Sequence, residues 1–222
     1  MKIFFIGCVA FSYTSLQTLL KLSKDIDIEL VGVATKEHSS FNADFCNLSP
    51  LCLEYNIPFI YAKNINAAEI LAFIHNCKPD IIYCFGWSEL IKPPLLQAYP
   101  IIGYHPSHLP FNRGRHPVIW ALFLGLKESA SSFFVMDSGA DSGEILSQEP
   151  FKITPEDNAQ SLCEKIESLA QKQICSFTRA ITQRVDSIKR GGGQYNICSS
   201  PTFPLLPARS FSCQSLAKAR GA

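Results

Sequence analysis

The sequence predicts an α/β chain: a Rossmann-like, mostly parallel sheet flanked by helices, with an added strand pair and a long helix towards the C-terminal end. Three observations carry that expectation. Short apolar runs alternate with segments of helical period from Lys2 to His105. Two later apolar runs are joined by a small-residue turn instead of a helix. A single amphipathic stretch then follows, from Asp157 to Val185.

Taken in order, Lys2–Ile6 reads as a buried first strand, and its apolar run is too short for a secretory signal. Leu16, Leu19 and Leu20 form a helical stripe, and the Val/Ile-rich Glu29–Thr35 reads as the second strand. Helices are expected around Ala43–Tyr55 and Ala67–Cys77, with Pro58–Tyr61 a short strand between them and Asp80–Phe85 a buried strand after them. Ser88–Ala98 reads as a helix interrupted by Pro93-Pro94, and Ile101–Tyr104 as a strand that ends at His105. Strands alternating with helices imply parallel pairing through right-handed crossovers. Ser131–Met136 and Ile145–Ile153, joined through Asp137–Gly143, predict a hairpin-like pair. Asp157–Val185 predicts one helix with Leu162, Ile166, Leu169 and Ile174 on its apolar side. Residues 1–187 are expected to form one domain and 188–222 an irregular tail, because no acidic residue occurs from Gly191 onward and Ser, Pro, Ala and Arg prevail there.

Bulk properties narrow the function. A chain of 222 residues with 47% apolar content can bury one sizeable core, or one domain with an appendage. A formal charge of +1 offers no field to gather nucleic acid or an anionic membrane, so neither is expected as a partner. No run approaches the ~18 apolar residues of a spanning helix. The nine cysteines are odd in number and lack any Cys-x-x-Cys pair, which reads as reduced thiols of a cytoplasmic protein with no metal site. The first strand–helix turn, Gly7-Cys-Val-Ala-Phe-Ser-Tyr, lacks the glycine pattern that lets a backbone approach a dinucleotide pyrophosphate. The chain also has no Walker lysine loop and no Gly-x-Ser-x-Gly elbow.

The stretch from Gly103 to Gln148 carries the chemistry. It holds Gly-Tyr-His105-Pro-Ser-His-Leu-Pro, then Asn-Arg113-Gly-Arg115-His-Pro, then Met-Asp137-Ser-Gly-Ala-Asp141-Ser-Gly. This places an imidazole and a carboxylate on loops at one sheet edge, within reach of a common ligand and able to shuttle a proton. Arg113 and Arg115 read equally as solvated charges or as forks for a substrate phosphate. Asp137 reads as the cap of its own turn. His108 and His116 read as loop or helix-start residues.

These motifs together resemble the catalytic domain of the folate-dependent formyltransferases. His105-Pro-Ser-x-Leu-Pro-x-x-Arg113-Gly, the following Trp120-Ala-Leu and Asp137-x-Gly-x-Asp141-x-Gly carry the resemblance from Asp80 to Asp157, and it continues more weakly over residues 1–79 and 157–187. It implies transfer of a formyl group from N10-formyltetrahydrofolate to a primary amine. His105 would exchange the proton that the amine loses and the folate nitrogen gains, and Asp141 would hold the ring. The loop Phe85-Gly86-Trp87 would accept the pterin, with Asp137 also on the folate side, although Trp87 reads equally as a core aromatic.

One position departs from the family. An asparagine usually stands two residues before the histidine to stabilise the oxyanion, and here that residue is Gly103. Losing one such donor costs ~2.7–4 kcal/mol, and Asn112 is the nearest candidate in sequence to replace it. The further C-terminal domain of methionyl-tRNA formyltransferases and the glycine-rich phosphate loop of the glycinamide ribonucleotide enzymes are not expected in this chain. The acceptor that remains is a nucleotide-linked amino sugar of surface-polysaccharide biosynthesis. Other readings stand beside it: a catalytically impaired folate or nucleotide-sugar binding protein, action on another amine such as methionyl-tRNA, or a formyl hydrolase. A homodimer is left open.

Overall fold

A computed structural model describes residues 1–40 and 42–190. The tail expected from residue 188 lies, beyond Arg190, outside the described residues. Seven strands form one sheet in the order β3-β2-β1-β4-β5-β6-β7. β1 (Lys2–Ile6), β2 (Glu29–Thr35), β3 (Phe59–Tyr61), β4 (Ile81–Cys84) and β5 (Ile101–His105) pair in parallel. β6 (Glu128–Val135) and β7 (Ile145–Lys152) are the expected added pair, each antiparallel to its predecessor.

The strand sequences explain the layering. β1 and β4 are apolar on both faces, as centre strands covered from two sides must be. On one side Phe5, Tyr83, Phe85 and Phe133 meet Leu16 and Leu19 of α1 (Ala10–Leu22) and Ile174 and Phe177 of α6 (Ala159–Arg190). On the other, Phe4, Ile6, Ile82 and Cys84 meet Ile70 and Ile74 of α3 (Ala68–Cys77) and Leu95 of α4 (Pro93–Ala98). Each large apolar side chain so buried contributes about 1.5–3 kcal/mol. Side-chain alternation then sorts β5. Ile102 joins the α1/α6 side and Ile101 the α3/α4 side, which puts Gly103 and His105 on the α3/α4 side with Ile101.

Three helices differ from the sequence expectation. α2 is only Ser49–Glu54: Pro50 sits in its first turn, and the residues before it make a turn at 43–44 and a single bridge from Phe45 to Val9 across the first strand–helix turn instead. Pro93-Pro94 start α4 instead of interrupting a longer helix, since a helix's first turn has no use for their missing N–H groups. α5 (Pro117–Phe123) has no expected counterpart: its sequence is apolar all round and shows no period.

Candidate active site

The strand order reverses between β1 and β4, the point where open α/β sheets place ligands beyond the carboxyl ends of their strands. In this chain the β1 side of that crevice is filled by the protein itself. The Ala10 N–H at the head of α1 donates to the Asp44 carbonyl at 2.9 Å, Cys46 N–H donates to Cys8 C=O at 2.9 Å, and Val9 bridges to Phe45. Ser12 sits between the two turns. Its hydroxyl donates to the Phe85 carbonyl at 2.6 Å and accepts from the Val9 N–H at 3.2 Å. A Cβ on Gly7 would lie 2.6 Å from the Phe85 carbonyl oxygen, and one on Gly86 (φ +71°) would run into Val9 and Ser12. Both glycines are therefore demanded by packing of the chain on itself.

The end of β5 is built differently. His105 is 6% exposed, and its Nε2 lies 2.9 Å from the Asn112 carbonyl. A carbonyl only accepts, so Nε2 carries a proton and donates it there. On the ring's other side Nδ1 lies 3.6 Å from Asp141 Oδ2, too far for a hydrogen bond and close enough for an ion pair once the ring is charged. The same carboxylate oxygen accepts the Gly114 N–H at 3.2 Å. Asn112 (φ +55°), Gly114 (+95°), His116 (+59°) and Asp141 (+51°) all adopt left-handed backbone within this small region. Such conformations gather where the surrounding structure over-determines them.

Buried hydroxyls and an amide hold that loop to the sheet. Ser107 Oγ donates to the Phe111 carbonyl at 2.9 Å, and Ser132 Oγ of β6 donates to the Ser107 carbonyl at 2.6 Å. Gln148 of β7 donates to the Leu109 carbonyl at 3.1 Å and to Ser132 Oγ at 2.9 Å. The antiparallel pair thus anchors the loop that holds the imidazole. Asp141 stands on the β6–β7 turn, which Asp137 organises: its Oδ1 accepts the Gly139 N–H at 2.9 Å and the Ser142 hydroxyl at 2.6 Å. The Ser142 hydrogen bond is the main reason that the Asp137 carboxyl is held below its ordinary range, with the nearby Arg113 guanidinium a smaller contributor.

The residues singled out from sequence separate into two groups. His105, Asp141, Asp137 and Arg113 converge on the β5 end, and Arg115 is exposed on the loop beside them. Phe85 is instead wholly buried among Phe5, Tyr83 and Phe133, with its N–H given to the Ile6 carbonyl and its own carbonyl taken by Ser12. Its side chain anchors the loop to the core. Trp87 is half-buried against the α3/α4 side, with the Lys36 ammonium 4.8 Å from its ring centroid and its indole N–H buried without a partner among the described residues. At Gly103 a Cβ would meet Phe134 Cζ at 2.8 Å and Met136 Cγ at 2.9 Å, so those two side chains already fill the volume that an asparagine there would need.

Sequence reasoning missed the Asn112 carbonyl, the Gly114 N–H and the Ser107–Ser132–Gln148 network. The first two are backbone groups that side-chain identity does not announce; the last had a signal in buried polar residues on otherwise apolar strands. No group of three or more His, Cys, Asp or Glu converges as a metal site among the described residues. Burial raises the thiols of Cys8, to about 11, and Cys84, to about 12, leaving both protonated and poor nucleophiles at neutral pH.

Residues 12–178 match the family described as Formyl transferase. The chain is 35% identical over 131 residues to methionyl-tRNA formyltransferase of Kosmotoga olearia, covering 58% of this chain and 42% of that protein. It is 31% identical over 171 residues to the bifunctional polymyxin resistance protein ArnA of Wigglesworthia glossinidia brevipalpis, covering 75% of this chain and 25% of that one. The chain therefore spans less than half the length of either relative. Among solved structures, phosphoribosylglycinamide formyltransferase of Bacillus halodurans superposes with a TM-score of 0.69 at 21% identity, over 78% of this chain and 90% of that one, a likeness of fold.

Proposed function

The chain belongs to the formyl transferase family, and from that premise we propose that it moves a formyl group from N10-formyltetrahydrofolate to the primary amine of a nucleotide-linked amino sugar. The observation that carries the reading is His105, held between the Asn112 carbonyl and the Asp141 carboxylate at the carboxyl end of β5.

The chemistry follows from that placement. An amine attacking the formyl carbon gives a tetrahedral adduct whose nitrogen must lose a proton, and the folate N10 must gain one to leave. His105 Nε2 is committed to Asn112, so Nδ1 is the nitrogen free to take that proton. Once it does, the Asp141 carboxylate at 3.6 Å faces a cation and stabilises it. Nδ1 then returns the proton to N10 as the C–N10 bond breaks, giving an amide and tetrahydrofolate. The oxyanion needs a donor in place of Gly103; our candidate is the side-chain amide of Asn112, an exposed residue whose backbone carbonyl already bonds the ring.

Two features support a nucleotide-bearing acceptor. Arg113 and Arg115 stand on the loop beside the histidine, where guanidinium groups fork onto phosphate oxygens. At the α1 N-terminus, the usual phosphate seat of such sheets, the first N–H is already given to the Asp44 carbonyl. This favours phosphate recognition on the β5 side. A second reading, methionyl-tRNA as acceptor, is favoured by the identity to the Kosmotoga olearia enzyme.

The test is formyl transfer to UDP-, dTDP-, GDP- and CMP-linked amino sugars and to methionyl-tRNA, read by product mass. One nucleotide sugar should gain a formyl group, and His105→Ala and Asp141→Asn should each lower turnover by roughly 10²–10⁴-fold. Transfer to methionyl-tRNA alone would replace the sugar reading. Formate released with no acceptor present would make the chain a hydrolase, and tight folate binding without turnover would make it a binding protein.

A further inference from the structure

One row of side chains crosses the last three strands of the sheet. His105 of β5 stands opposite Ser132 of β6, and Ser132 stands opposite Gln148 of β7. Facing residues of neighbouring strands share a sheet face, so the three side chains are neighbours on one face. The sheet itself needs neither Ser132 nor Gln148. Ser132 is wholly buried in β6, where a small apolar residue would suit the strand, and a buried hydroxyl costs stability unless it is bonded. Its bond as a donor goes outside the ladder, to the loop that follows His105.

The donors along this row all run one way. Gln148 Nε2 donates to Ser132 Oγ at 2.9 Å and to the Leu109 carbonyl at 3.1 Å. Ser132 Oγ donates to the Ser107 carbonyl at 2.6 Å, and the buried Ser107 Oγ donates to the Phe111 carbonyl at 2.9 Å. Three carbonyls of one loop, at 107, 109 and 111, are therefore each held by a side-chain donor. The next carbonyl, that of Asn112, is the one that accepts from His105 Nε2 at 2.9 Å.

A neutral imidazole carries one ring proton, and the bond made by one nitrogen decides where it sits. The Asn112 carbonyl keeps that proton on Nε2 and leaves the lone pair on Nδ1, on the Asp141 side. A displacement of that carbonyl by about 1 Å would break the Nε2 bond. The competing form, with its proton on Nδ1 towards the Asp141 carboxylate, would then be preferred and Nδ1 could no longer accept. We infer, on the reading of His105 as the proton carrier, that Ser132 and Gln148 are positioning residues: they act through the loop carbonyls to fix the His105 tautomer. A residue that changes this geometry from outside the reacting centre can cost a large part of the rate.

Ring-nitrogen NMR of the full chain labelled at histidine reads the tautomer with no substrate present, and His105→Ala identifies the His105 signals. At the alkaline end of a pH titration, the parent should show a protonated Nε2 and a bare Nδ1. Gln148→Met keeps the volume and loses both donors, and Ser132→Ala loses the hydroxyl. Each should move His105 towards the Nδ1-protonated form and lower kcat by roughly 10- to 10²-fold. The KM for N10-formyltetrahydrofolate should hardly move, because substrate binding is left intact. Circular dichroism should be unchanged; if Ser132→Ala unfolds, the half-buried Gln148→Met decides alone. A parent that transfers formyl to no acceptor would fail the functional reading and leave the tautomer spectrum to decide this one. An unmoved tautomer in both variants overturns the inference, whether kcat holds or falls, and so does a shifted tautomer with kcat intact in an active enzyme.

Discussion

The two strand ends that flank β4 teach opposite lessons about what a loop is for. At β1 the chain seals its own crevice: the first N–H of α1 goes to Asp44, Ser12 bridges two turns, and Gly7 and Gly86 let those turns touch. At β5 the chain leaves a carboxylate part-exposed beside a histidine, and holds four left-handed residues around them. The first arrangement spends its polar groups on cohesion. The second sets an imidazole nitrogen and a carboxylate facing each other across 3.6 Å, within ion-pair reach and beyond hydrogen-bond reach. Substitutions at the first end should therefore read out as stability, and at the second as turnover.

The largest expected effect breaks the comparison if it fails. His105→Ala should lower kcat by roughly 10²–10⁴-fold while the thermal midpoint stays near that of the parent chain. A variant that keeps its activity would mean that the proton travels through another group. A variant that loses activity only because it unfolds would mean that the ring is a structural member of its loop.

At the sealed end the prediction inverts. Gly7→Ala pushes a methyl against Ser12 Cβ at 2.5 Å and the Phe85 carbonyl at 2.6 Å, so one of the two turns must yield. It should cost about 1–3 kcal/mol in denaturant unfolding, with kcat in the surviving folded protein little changed. Gly103→Asn belongs between the two ends. Overpacking against Phe134 and Met136 should destabilise by a similar ~1–3 kcal/mol, and adding Met136→Ala should recover much of that by making room. A stable, faster Gly103→Asn single variant would show that the space around Gly103 is less filled than its neighbours indicate.

The same division governs what could be read from sequence. β1 and β2 were legible to the residue, because centre strands with continuous apolar runs leave no other solution. The histidine and the carboxylate were legible because their motif carries a family resemblance on top of a strand end. The turn and bridge over residues 42–46 were not, since they engage α1 and β1 through backbone groups, and any residue offers those. α5 escaped for a different reason: with apolar residues on every face there is no period to detect, and the same property leaves it with a bare surface. The place of the Phe85 side chain in the core follows from the alternation it shares with Ile81 and Tyr83.

The smallest expected effect sharpens the β5 end. Asp137 is exposed and holds the turn that carries Asp141 through Gly139 and Ser142. Asp137→Asn keeps an oxygen that can accept both hydrogen bonds, so stability should move by less than about 0.5 kcal/mol. Asp137→Ala loses both and should fall by about 1 kcal/mol. The pH dependence has a fixed sign. The folded-state carboxyl is held below its ordinary value of 3.8, chiefly by Ser142, so its contribution is complete above that ordinary value and disappears as pH falls through the depressed one. The gap between parent and Asp137→Ala should therefore be widest at neutral pH and close on acidification below about pH 4, as read from thermal midpoints in matched buffers. Any change in turnover between pH 5 and 8 must then come from another group, and Asp137→Asn should leave that limb of the rate profile where it was. Were the limb to shift, the turn would be communicating its charge to the proton shuttle, and Asp137 would do more than shape the turn that carries Asp141.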